Sequence, residues 1–104
     1  MTRRLVQVLL PIHFQDGTEV PAGEFARVRT ELTERFGGVT AYARSPATGL
    51  WKRTEDEVAR DQVIMVEVVV DEFDPQWWEA YRVDLERRFG QEQIHARALA
   101  MELI

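Results

Sequence analysis

His13 and His95 are the two histidines of this chain, and histidine is the side chain whose unperturbed charge changes near neutral pH. A histidine beside a carboxylate is a serviceable general base. A neighbouring arginine can hold a substrate carboxylate or a developing oxyanion. His13, Glu67, His95 and Arg97 would supply that chemistry if the fold brings them to one surface. Leu9, Tyr42, Trp51 and Met65 are candidate walls, since a small-molecule site sets a few convergent polar groups in apolar surroundings. The same residues also have a structural reading: Glu67 and Arg97 as an ion pair across a sheet or a subunit interface, with the histidines at a wet rim. Nothing in the positions of His13, His95 and Glu67 has the spacing of a metal-ligand set, so the sequence calls for no metal and no other cofactor. With no cysteine, thiolate nucleophiles, cysteine metal sites and disulfides are excluded.

The elements that must carry these residues follow from hydropathy patterning. Residues 5–13 read as a buried strand, with Pro11 pushing it toward an edge or a bulge near its end. QDGTEVPAG is a turn-rich connection that lacks the glycine pattern and the lysine of a phosphate-cradling loop. Phe25, Val28, Leu32 and Phe36 recur at helical spacing, and Gly37-Gly38 ends that helix, predicted over 22–36. VTAYARS then alternates as a second strand, SPATG turns, and LWKR at 50–53 is a short hairpin arm. Residues 54–61 are a charged loop, and QVIMVEVVV at 62–70 is the strongest strand signal. Asp74-Pro75 reads as N-cap and first helical residue of a helix over 75–89, with Trp78, Tyr81, Leu85 and Phe89 buried and Trp77 partly exposed. The last strand sets Ile94, Ala96, Ala98 and Ala100 against His95, Arg97, Leu99, Met101 and Leu103.

The two helices resemble each other. Slid so that Phe25 meets Trp78, Leu32 meets Leu85, and Arg35-Phe36-Gly37 meet Arg88-Phe89-Gly90; the strand after each keeps its parity. The chain therefore reads β-α-β-β-α-β as one α+β domain over 1–104, a ferredoxin-like plait with two helices on one face. That reading includes a mixed sheet whose first and third strands run parallel and whose fourth runs antiparallel to the first, bringing His13, His95, Arg97 and Glu67 toward one end of the other face. This other face also carries Leu5, Leu9, Met65, Val69, Leu99 and Met101, too much apolar surface for a solvated sheet face. Burial of apolar area yields about 25 cal/mol per Å², and a standard patch is about 800 Å² per subunit. Something covers it. The expected cover is a second copy of the chain; a small-molecule ligand, a different protein and extra coverage by the 50–61 segment are the alternatives.

This combination of element order and face character resembles the dimeric α+β barrel superfamily, whose ferredoxin-like subunits pair through their sheets. The stretch RFGGVTAYARSPATGLWKR is also similar to small bacterial protein families of undefined role, and no activity comes with that likeness. Barrel relatives include haem-linked enzymes, cofactor-free monooxygenases, lactone isomerases and stress-response proteins, so the resemblance implies a fold and not a function.

Composition narrows the classes further. The chain has 104 residues, 45% apolar and 30% charged, with a net charge of -5. Such a balance offers no broad basic surface for nucleic acid, and no apolar run is long enough for a membrane span. The MTRRLVQVLL start is broken by Gln7 and followed by no small-residue cleavage site, so it reads as a first strand and not as a signal peptide. The cytoplasm is the expected location by elimination. The functional expectation is a homodimeric binding or structural protein. The alternative is a small cofactor-free enzyme, monooxygenase-like or isomerase-like, abstracting a proton from a compact aromatic or anionic substrate with one of the histidines.

Overall fold

The computed structural model describes residues 3–44 and 63–104, with backbone only for 41–44. The expected hairpin arm at 50–53, the charged loop at 54–61 and Trp51 lie outside the described residues. Six elements follow in order: β1 (Arg4–Pro11), α1 (Ala22–Phe36), β2 (Thr40–Arg44), β3 (Val63–Val70), α2 (Pro75–Arg88) and β4 (Ala96–Ala100). The fold is α+β, with two helices and an antiparallel sheet ordered β2-β3-β1-β4.

β1 lies between two partners. It pairs with β3 from Arg4↔Val70 to Pro11↔Val63 and with β4 from Arg4↔Ala100 to Val8↔Ala96, antiparallel in both cases. β2 is antiparallel to β3. The expectation of a mixed sheet with parallel first and third strands is thus corrected. α1 returns the chain so that β2 runs in the direction of β1, and β3 then lies between those two strands and opposes both.

Alternation sends Val6, Val8 and Leu10 of β1, and Val66, Val68 and Val70 of β3, to the helix side, where they form the core. Val20 just before α1, Val28 and Leu32 of α1, Trp78, Tyr81 and Leu85 of α2, and Phe89 and Ile94 complete it. α1 begins after Pro21 without a side-chain cap and ends at Gly37, whose φ of 85° is left-handed and whose N–H reaches the Thr33 carbonyl. α2 is better started: the Asp74 carboxylate accepts from the backbone N–H groups of Gln76 and Trp77, and Pro75 supplies its first residue. Trp77 is half-buried, packed against Phe36, Trp78 and Tyr81, with the Arg35 guanidinium 4.2 Å from its ring centroid. No helix among the described residues is long and apolar enough to cross a membrane.

The first strand is shorter than the predicted 5–13. Past Pro11 the chain pairs locally, with the Val20 N–H donating to the Ile12 carbonyl, Phe14 to Thr18, and a single bridge joining His13 to Glu19. Asp16 ties the turn by accepting from the Thr18 hydroxyl and N–H, which hold its carboxyl below the ordinary value.

Candidate functional site

The open face, opposite the helices, is organised in rows set by register. Thr40, Glu67, Gln7 and Arg97 stand opposite one another across β2, β3, β1 and β4. Gln7 joins its two charged neighbours: its Nε2 donates to Glu67 Oε2 at 2.5 Å, and its Oε1 accepts from Arg97 Nε at 2.7 Å. The amide orientation is therefore fixed from both ends, with a carboxylate on the donor side and a guanidinium on the acceptor side. No other hydrogen bond or ion pair engages Glu67 or Arg97 among the described residues. Apolar rows flank this polar one. Leu5 stands between Val69 and Leu99, which are 41% and 42% exposed, and Leu9 stands beside Met65.

Glu67 and Arg97 are thus brought into one network, but not into the direct pair that residue type suggested; Gln7 lies between them. Alternation along β1 puts Gln7 on the same face as Leu5 and Leu9, but its residue type points to no role. Its signal would have been the register, in which a neutral amide sits between opposite charges on both neighbouring strands. Among the expected walls, Leu9 and Met65 are direct neighbours, and the register aligns position 42 with Met65. Met65 is fully buried, while Leu9 is half-buried. Of Tyr42 only the backbone is described, and Trp51 lies outside the described residues.

The histidines are not brought together within the chain. His95 is exposed and precedes β4, where its carbonyl accepts from the Leu9 N–H. His13 lies four residues further along from Leu9, which is on the order of 13 Å of extended chain. It sits in the small hairpin beside the end of α2, where Gln91 donates to its carbonyl and its own Nδ1 is buried without a hydrogen bond among the described residues. The parallel arrangement of β1 and β3 that was to bring Glu67 beside the histidines does not exist, whereas the antiparallel pairing of β1 with β4 does and sets His95 beside Leu9. Glu67 accepts from Gln7 through one oxygen, and neither histidine lines the shallow cleft of about 430 Å³ formed by Glu67 with Leu5, Thr40 and Val69.

A second polar cluster joins the helices. The Arg88 side chain is 4% exposed; its Nη1 reaches Glu31 at 2.8 Å and Asp84 at 3.3 Å, and its Nε reaches Glu24 at 3.4 Å. The Tyr81 hydroxyl donates to the same Glu31 oxygen at 2.9 Å. Burial, reinforced by Glu31, pushes the Tyr81 phenol well above its ordinary value. Burial works to lower the Arg88 value, but hydrogen bonds and charge from Glu31 and Asp84 overcome it and hold the guanidinium firmly protonated. Asp84, hydrogen-bonded first by Arg87 and then by Arg88, is held below the ordinary carboxylate range. The cluster is an interhelical clamp. Its sequence signal was the repeat, which superposes Arg35 on Arg88 and Glu31 on Asp84.

A cleft of about 170 Å³ opens between α2 and β4, where Ala96 and Ala98 are too small to fill the space under Phe73 and Trp78. Among the described residues no group of three histidine, cysteine, aspartate or glutamate side chains could hold a metal ion. Compared with protein-family models, curated proteins and solved structures, the chain matches none of them.

Proposed function

We propose that this chain is a ferredoxin-like plait that pairs with a second copy of itself through the open sheet face, as a homodimeric binding or structural protein of the α+β barrel type. One observation carries the reading: Val69 and Leu99 stay more than two-fifths exposed on either side of Leu5, in a row of apolar side chains. Water is a poor cover for such a row, and a matching apolar row is a good one. The polar row beside it is internally hydrogen-bonded, so it enters an interface with part of its desolvation already compensated. The catalytic alternative needs a histidine against Glu67, and among the described residues the hydrogen bond to Glu67 comes from Gln7.

Light scattering on the purified protein tests this. The expected mass is twice the 12.1 kDa of the chain at tens of micromolar. Leu99→Glu, which would bury an unpaired charge among apolar side chains, should give the single-chain mass with an unchanged circular dichroism spectrum. A native protein that stays at the single-chain mass overturns the proposal.

A further inference from the structure

We infer that the second copy docks with its two-fold axis parallel to β1 and lying between the two sheets over Gln7, so that Glu67 of each chain meets the partner subunit's Arg97. The inference rests on the sheet-face dimer proposed above and fixes its orientation. Glu67 and Arg97 both pair with Gln7 in the register, each one strand away from it on opposite sides. A two-fold rotation about an axis parallel to β1 exchanges left and right across the row and leaves position along the strand unchanged. It therefore lays the β3 charge over the partner's β4 charge, negative on positive. Facing sheets stand about 10 Å apart, a gap that a glutamate and an arginine reaching toward each other can span.

Other orientations fail on the same row. A two-fold axis lying along the row, perpendicular to the strands, sets Glu67 on its own copy and Arg97 on its own copy, and like charges in a closing interface are repulsive. An oblique axis turns the charges toward the apolar rows, where they are buried unpaired. The strand-parallel axis also lays Val69 over the partner subunit's Leu99 and Leu5 over its own copy, apolar on apolar. Each charged group has capacity left for the contact. Gln7 takes Arg97 Nε and Glu67 Oε2, and the terminal nitrogens of Arg97 and the second oxygen of Glu67 have no partner among the described residues.

The dissociation constant of the dimer, measured by sedimentation velocity over a dilution series, separates the orientations by sign. With the axis along β1, Glu67→Gln removes two cross-interface charge pairs and should weaken the dimer by about tenfold or more. With the axis along the row, the same variant relieves a repulsion and tightens it. Glu67→Arg and Arg97→Glu should each dissociate when alone, and an equimolar mixture should regain the dimer mass as a heterodimer; circular dichroism of each variant checks that it is folded. A native dimer that Glu67→Gln leaves unchanged or tightens overturns the orientation and spares the dimer. A native chain that is a monomer throughout overturns both.

Discussion

Arg88 is the residue on which most of the interhelical polar structure depends. Arg88→Met leaves Glu24, Glu31 and Asp84 crowded without their common counter-charge. Its partners are 27%, 33% and 37% exposed, so the loss should be that of a charged hydrogen bond, roughly 1.5–3 kcal/mol, and urea unfolding should register it. Tyr81→Phe removes a single hydrogen bond to Glu31 and should cost about 1 kcal/mol. Tyr81 also sets an alkaline limit. Its phenol holds its proton in the folded state beyond the pH, about 10, at which the unfolded chain releases it. This contribution is therefore complete below about pH 10 and is lost as pH rises further. Stability measured from pH 8 to 11 should fall at the alkaline end, and Tyr81→Phe should flatten that fall. None of this network was legible from residue types, because charged residues on amphipathic helices read as solvated. The spacing of Glu31-Arg35 and Asp84-Arg88 was visible, but which arginine turns inward is decided by packing between helices.

At the scale of the element, the helices were the most legible part, since each carries an apolar stripe and punctuation at its ends. α1 has the predicted bounds, and α2 stops one residue early, with Phe89 as its C-cap. Asp74→Ala removes the side-chain cap of α2 and should cost about 1 kcal/mol. Two glycines beyond the helices give a controlled comparison. Gly37 and Gly90 both have positive φ, but an added Cβ at Gly37 meets open space, whereas at Gly90 it comes within 3.3 Å of the Phe14 ring. Both alanine variants carry a left-handed backbone penalty of about 1 kcal/mol, and Gly90→Ala should lose measurably more in thermal unfolding. Strand faces were also legible, because parity needs only the sequence. Strand direction was not. Whether the first and third strands run parallel depends on where the chain re-enters the sheet, and periodicity is silent about that. The inferred placing of Glu67 beside His13 and His95 depended on that direction and dissolved with it.

For the whole molecule, pairing through the sheet ties stability to concentration. A partner that binds only the folded chain adds to its stability by mass action. The thermal midpoint should therefore rise by several degrees over about a hundredfold increase in protein concentration. A midpoint independent of concentration contradicts the dimer. Leu99→Glu should abolish the dependence. The apolar content of the open face could be read from sequence, whereas Gln7 as the link between Glu67 and Arg97 emerged only from the register of three strands.

The aromatic junction beneath the helices also gives the protein a built-in optical reporter. The rings of Trp77 and Trp78 are 4.8 Å apart at 86°, and Tyr81 stacks on Trp77 at 5.0 Å. Chromophores this close share excitation, so light absorbed by Tyr81 is emitted by the indoles, and the indole pair is held in a fixed chiral relation. The cluster packs on the helix side of the sheet, away from the open face. In a Trp51→Phe background, emission and near-ultraviolet dichroism from this pair should follow unfolding of the chain while remaining insensitive to dissociation, so that the two events can be timed separately in one sample.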